Sequence, residues 1–195
     1  RLDPSAVVSY GDFKLIDAIG RVFREVQAED YSADRLCVDL VCQPGPGALI
    51  RRTVFDATGG WDGDLRQVPD FEFWLRASRF GHFIRVNSSL ARYRIHDDSA
   101  SLRPINRDRS MEIVGVASRF WAGHEGRHPK RALAKAHLIA ARSHAQSGRY
   151  LSAFGQAARA IIKHPSELLR PASWRTFMSG FLRRLSYSIQ IATRH

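Results

Sequence analysis

Val68-Pro69-Asp70-Phe71-Glu72-Phe73-Trp74-Leu75-Arg76-Ala77-Ser78 sets a residue able to cap a helix directly before Phe71, Trp74, Leu75 and Ser78. Those four recur at the spacing of one helical face, so an amphipathic helix is expected from Asp70, ended by Gly81. Just upstream, Thr53 to Thr58 reads as a brief helix stopped by Gly59-Gly60. Just downstream, His82 to Val86 and Leu90 to Ile95 are two strand-like runs. Farther back, Ala6-Val7-Val8-Ser9-Tyr10 reads as a buried strand closed by Gly11-Asp12. Phe13 to Val26 reads as a hairpin turning at Ala18-Ile19-Gly20. Ser32 can cap a short helix whose Leu36, Leu40 and Val41 share a face. The run Gln43-Pro44-Gly45-Pro46-Gly47 excludes regular structure, because two prolines remove donors and two glycines admit unusual dihedrals. Ala48-Leu49-Ile50 is a short strand. From about residue 108 the pattern is helical throughout. The expected architecture is therefore α/β over 1–107, followed by an all-α extension over 108–195.

The 195 residues carry 44% hydrophobic and 25% charged side chains, which excludes a wholly disordered chain. Net charge is +11, and it is unevenly placed. Residues 1–118 hold 16 Lys and Arg against 17 Asp and Glu, whereas residues 119–195 hold 14 against 2. The second part thus carries the whole excess, and such asymmetry suits an anionic surface, either lipid head groups or nucleic acid. Cys37 and Cys42 are too few for a disulfide framework or a zinc cluster. They read as packed free thiols in a reducing, cytoplasmic compartment. No stretch reaches the roughly 18–20 apolar residues of a membrane span. Arg1 runs straight into strand-like sequence, which reads as a cut end.

Four features follow one another in order: Tyr10-Gly11-Asp12; Pro44-Gly45-Pro46-Gly47-Ala48-Leu49-Ile50-Arg51-Arg52; Gly59-Gly60-Trp61-Asp62 leading to Asp70; and Tyr93-Arg94-Ile95-His96 leading to Ser99 and Ser101. Over roughly residues 5–102 this order resembles family 2 glycosyltransferases, which adopt the Rossmann-like GT-A fold. The resemblance is to the C-terminal, acceptor-side half of that domain. It implies a nucleotide-diphosphate sugar donor, held in the N-terminal half by a D-x-D motif and a divalent metal, Mg²⁺ or Mn²⁺. It also implies a glycan or lipid-linked acceptor, as in cell-surface polysaccharide synthesis. By position, Gly45 and Gly47 belong to the family's glycine-containing loop, Asp70 is the catalytic carboxylate, and His96 is the metal-side histidine. Pro69 stands where the family usually has Glu. Trp61 would line the acceptor cleft. Arg51 would face the diphosphate, or with Arg52 it is the solvated end of a strand.

Chemistry makes these roles sensible. An inverting transfer needs one carboxylate to take the proton of the attacking hydroxyl, and a leaving diphosphate needs a cation. A carboxylate at a helix N-terminus is favoured in its ionised form by the helix dipole. The plainer readings stand beside them: Asp70 as an N-cap, Gly45 and Gly47 as turn glycines, Trp61 and Trp74 as core or rim aromatics, Asp12 and Asp17 as turn residues. No D-x-D in a strand-end context occurs, so the family's donor ligands would lie upstream of Arg1. By itself the chain is expected not to catalyse transfer.

In the extension, Gly148, Tyr150, Ala153, Ala160 and Pro165 fall at the spacing of a tetratricopeptide repeat after a helix from about Lys130 to Gln146. One repeat is below the three a stable array needs, so a helical hairpin packed on the first domain is expected. Within residues 174–194, Trp174, Phe177, Met178, Phe181, Leu182, Leu185 and Ile189 share one stripe, while Arg175, Arg183, Arg184 and Gln190 lie elsewhere. That pattern suits either a packed helix or a helix lying on an anionic membrane, at the inner face of the plasma membrane. The alternative to an enzyme is a non-catalytic helical module that binds an anionic partner. Nucleic acid is disfavoured, because the arginines spread over several helices with no recognition helix or stacking platform.

Overall fold

The computed structural model describes residues 3–96 and 104–192, and the chain divides into two compact units. The first comprises the described residues up to Cys37, Val41–Asp64, and those from Pro69 to residue 96. The second comprises Val38–Leu40, Leu65–Val68 and the described residues from Pro104 onward. The protein is mixed α/β, with one small sheet and seven α-helices among the described residues. Ser99 and Ser101 lie outside the described residues.

In the first unit, strand β1 (Ala6–Ile16) is central. Its second half pairs antiparallel with β2 (Val22–Val26), with Phe13 opposite Val26 and Lys14 opposite Glu25. Val8 and Ser9 pair antiparallel with β3 (Leu49–Ile50). On its other side, β1 runs parallel to β4 (His82–Arg94) along its length. The hairpin turns where expected: Asp17 Oδ1 accepts from the backbone N–H of Ile19 (3.0 Å) and Arg21 (2.8 Å).

Two boundaries differ from expectation for one shared reason. β1 does not close at Gly11-Asp12, and the two downstream runs fuse into the single strand β4. The register of β1 on β4 shifts on both sides of Asp12, and there a Cβ on Gly11 would sit 2.6 Å from the Ser88 carbonyl oxygen. Gly11 is therefore not a strand terminator but the place where a bulged partner approaches closely.

Helix α1 (Ala33–Cys37) is capped by Ser32, whose Oγ accepts from Arg35 N–H (3.3 Å). It stops at Cys37, so Leu40 and Val41 lie beyond it, Leu40 at φ 54°. Helix α2 (Arg52–Thr58) ends on Gly59 at φ 74°, a left-handed cap. Helix α3 (Pro69–Ala77) begins one residue early, with proline in the first helical position where its missing N–H costs nothing. Asp70 is consequently the second helical residue rather than the cap. Its Oδ1 accepts from Phe71 N–H at 2.8 Å. Around α3, Tyr10, Phe73, Leu75, Val8 and Phe83 form the core of this unit.

In the second unit, Asn106 caps helix α4 (Arg107–Phe120) by accepting from Arg109 N–H at 2.9 Å. Helices α5 (Arg127–Gln146), α6 (Tyr150–Lys163) and α7 (Pro171–Ala192) follow, with a 3₁₀ turn at Pro165–Leu169. Helix α5 is the hub, packing on α4, α6 and α7. Its Ala132, Ala134, Ala136, Ala140, Ala141 and Ala145 are fully buried, as are Ala153 and Ala160 of α6. Alanine at the contacts lets helix axes come close with little side-chain entropy lost. The expected hairpin is α5–α6, turning at Gly148 with φ 78°. The two short segments from the first hundred residues are held by charge. The Glu112 carboxylate accepts from the backbone N–H of Arg66 (3.1 Å), Gln67 (2.6 Å) and Val68 (3.2 Å), and Arg131 pairs with Asp39.

Two histidines of α5 are buried. His137 Nδ1 lies 2.7 Å from Gln156 Oε1, and His144 Nδ1 accepts from Arg149 Nε at 3.0 Å. Both pKa values are lowered, first by desolvation; nearby arginines add to this, Arg149 and Arg107 at His144 and Arg159 at His137. Below the ordinary value of 6.5 the unfolded chain takes up protons that the folded unit refuses. Stability therefore falls as pH drops through that value, at a limiting slope of about 1.4 kcal/mol per pH unit for each histidine. Circular-dichroism melts are expected to show a lower Tm at pH 5.5 than at 7.5, and His144→Gln to flatten the dependence.

Candidate functional site

The site is built on a strap that leaves β2 and crosses the first unit through residues 27–32. Three side chains hold that strap by its backbone. Tyr10 Oη donates to the Glu29 carbonyl (2.7 Å), Asp12 Oδ1 accepts from Ala28 N–H (2.9 Å), and Gln43 Nε2 donates to the Asp30 carbonyl (2.5 Å). Burial pushes the Tyr10 phenol up to about 12, so it stays a donor at any physiological pH. Asp12 is in turn gripped by Arg85, whose Nη2 lies 2.8 and 3.1 Å from its two oxygens. The Ala28 N–H and then Arg85 hold the Asp12 carboxyl below the usual range. Asp12 is thus a strut between β1, β4 and the strap, not a turn residue as expected. Asp17 is the turn residue.

Between the strap, the sheet and α3 lies an open cleft of about 760 Å³. Its walls include Phe13 and Leu15 of β1, Tyr93 of β4, Gln27 to Glu29 of the strap, Gln43 to Pro46, and Asp70 and Trp74 of α3. The cleft sits at the carboxyl-terminal halves of the parallel pair β1 and β4, the side on which open α/β sheets place ligands. Asp70 is exposed in the first turn of α3 and presents its carboxylate to this cleft. Cys42 is exposed as a residue, yet its thiol donates to the Pro44 carbonyl (3.2 Å) and is pushed upward, first by desolvation and then by the Asp70 charge. The cleft therefore holds the Asp70 carboxylate and, at Cys42, a thiol rather than a thiolate nucleophile.

The other expected residues scatter around this centre. Gly45 lines the cleft, and a Cβ there would stand 2.9 Å from the Phe13 ring. Gly47 does not line it; at φ 86°, with Ala91 Cβ 3.0 Å from its own hypothetical Cβ, it serves the turn. Trp61 is 44% exposed and stacks on Phe73, with ring centroids 4.6 Å apart and planes 9° off parallel. It caps an aromatic cluster that continues through Trp74 to Phe83. Arg51 lies outside the cleft, donating to the carbonyls of Ala6 (2.9 Å) and Pro4 (3.0 Å). His96 is exposed just past β4 and is not among the residues that line the cleft. Among the described residues no three His, Cys, Asp or Glu side chains converge to hold a cation. Asp62-Gly63-Asp64 has the letters of a D-x-D, but Asp62 Oδ1 accepts from Asp64 N–H (3.0 Å) within a turn.

Sequence reading overlooks Arg76. From α3 it donates to the carbonyls of Thr58 (2.5 Å) and Gly60 (2.7 Å) while paired with Glu72 (2.7 Å), tying the Gly59-Gly60-Trp61 loop to the helix that carries Asp70. The available signal was the spacing of Glu72 and Arg76, four residues apart on one helix. No protein-family model matches the chain, and no curated protein matches it.

Proposed function

We propose that the first unit is the acceptor side of a GT-A-type inverting transferase that moves a sugar from a nucleotide-diphosphate donor to a glycan or lipid-linked acceptor. The observation that carries the reading is the exposed Asp70 carboxylate, in the first turn of α3, on a cleft at the carboxyl ends of β1 and β4. In this reading the acceptor hydroxyl lies against Asp70. Its oxygen attacks the anomeric carbon, its proton passes to Asp70, and the bond to the donor diphosphate breaks on the opposite face. Gly45 lets backbone lie close to the sugar, and Trp74 supplies an apolar wall. The resemblance also implies Mg²⁺ or Mn²⁺ with His96 nearby. The described residues do not by themselves assemble such a site, so no step here is routed through a metal.

The test uses a polypeptide carrying this chain together with a nucleotide-sugar-binding half, assayed with UDP-, GDP- and dTDP-sugars on envelope glycan extracts. Asp70→Asn is expected to lower kcat at least about 100-fold, the lower end of what a positioned base contributes, with the donor KM nearly unchanged. Near-normal turnover would end the assignment. A proportionate rise in donor KM would instead place Asp70 in binding.

A further inference from the structure

Helices α6 and α7 leave large apolar side chains open to solvent. Leu151 is 91% exposed, Ile162 78%, Leu182 62% and Phe154 57%, and Trp174 and Met178 are about half exposed. Ring contacts join the two helices that carry them. Tyr150 stacks on Phe181 at 5.5 Å, and Phe154 meets Phe177 at 5.8 Å. The stripe expected on α7 is therefore divided. Phe177 is buried, while Trp174, Met178 and Leu182, one turn apart, stay outside and are joined by residues of α6. The side chains of Leu185 and Ile189 lie outside the described residues.

At 3.6 residues per turn, Leu151, Phe154 and Ile162 fall within roughly 80° of one another on α6, and Arg159 and Lys163 fall on the next sector. On α7, Arg175 flanks the line of Trp174, Met178 and Leu182. All three cations are exposed. An aromatic-rich apolar band bordered by cations is the composition of a surface that settles among lipid head groups. Charge selects among the occupants. Residues 119–195 carry 14 basic against 2 acidic side chains, so a second copy laid face to face would oppose like charges. Nucleic acid would neutralise the flanks but leave Leu151 and Ile162 in water. An anionic bilayer satisfies both parts. Among the described residues no helix is long and apolar enough to cross a membrane, so the face would lie on the surface.

We propose that the α6–α7 face binds anionic lipid bilayers peripherally, with Leu151, Phe154, Trp174 and Met178 entering the head-group region and Arg159, Lys163 and Arg175 meeting lipid phosphates. The inference is independent of sugar transfer. The test is co-sedimentation of the whole chain with phosphatidylcholine vesicles, with and without phosphatidylglycerol. Binding to the phosphatidylglycerol vesicles is expected, at least about 10-fold tighter than to phosphatidylcholine alone, since each basic residue near such a surface contributes about 1 kcal/mol. The pair Leu151→Glu and Met178→Glu, at exposed positions that should leave the helical circular dichroism intact, is expected to abolish it. Arg159→Glu with Lys163→Glu should weaken it about 10-fold or more, and added salt should act in the same direction. Absence of binding, equal binding to both vesicles, or binding unaffected by the glutamates would overturn the proposal. So would self-association of the wild-type chain that the same glutamates abolish, or tight duplex-DNA binding with none to vesicles.

Discussion

Alanine at position 180 is expected to destabilise the helical unit by about 1–3 kcal/mol, the usual cost of overfilling a packed contact. Alanine at position 155 is expected to stabilise it by about 0.5–1 kcal/mol. The two glycines sit inside α7 and α6, and each should gain helix propensity when replaced. They differ in what a Cβ would meet. At Gly180 it would run into the Arg142 carbonyl oxygen and lie 3.0 Å from the Arg142 Cα, both backbone atoms of α5 that no rotamer change can move aside. At Gly155 nothing lies within 4 Å. The clash forces α7 away from α5, across the contact where Phe177 packs on Ala141 and Ala145. Thermal melts followed at 222 nm read both changes, at about 4–8 °C per kcal/mol for a unit of this size. Gly180→Val should cost more than Gly180→Ala. An alanine at 180 that raises Tm would show that α7 does not cross α5 this closely.

Glu167→Ala is expected to cost about 3–5 kcal/mol, because it strands a charge in the interior. Glu167 is 2% exposed. Its carboxylate receives Lys135 Nζ at 2.8 Å and Ser173 Oγ at 2.5 Å, with Arg170 Nε at 3.5 Å, so it joins the 3₁₀ turn to α5 and α7. Burial alone would raise its pKa. The Lys135 and Ser173 hydrogen bonds and the charges of Lys135 and Arg170 outweigh burial, and the carboxyl is held below its ordinary 4.5. A depressed carboxylate contributes stability that is present above the unfolded value and is lost as pH falls through the folded one. The Glu167→Ala variant should therefore differ from the parent at pH 7 and converge on it in acid. Pairing Glu167→Ala with Lys135→Met should recover part of the loss by removing the orphaned ammonium. If the double variant is no more stable than the single one, the pair is not coupled as drawn.

Local signals in the sequence located most elements. The turn at Ala18-Ile19-Gly20, the Ser32 cap, the Gly59 stop and the α5–α6 hairpin each depend on residues a few positions apart, and each lies where the letters place it. Features set by distant neighbours were hidden. Gly11 looks like a terminator until the Ser88 carbonyl is seen against it, and Asp12 looks like a turn residue until Arg85 arrives from β4. Of the site, the position of Asp70 on a helix was legible, whereas its cleft was not, since the walls come from five separate stretches of chain. Arg51 and His96 are not among the residues that line the Asp70 cleft, and order along the chain carries no information about which edge of the sheet each element joins. The apolar stripe of α7 was legible within residues 174–194, whereas its continuation on α6 was not, for the same reason.

One edge of β4 bears on handling and assembly. The strand is thirteen residues long and, among the described residues, pairs only with β1. Its other side presents a row of backbone donors and acceptors, a surface that any extended peptide can extend by one strand whatever its side chains. Arg85, Arg92 and Arg94 and the bulge near Ser88 punctuate the strand and limit how long a run an added strand can match. Concentrated solutions of this chain should therefore thicken only by short edge-to-edge contacts, and a short β-prone peptide added in excess should act as a stopper.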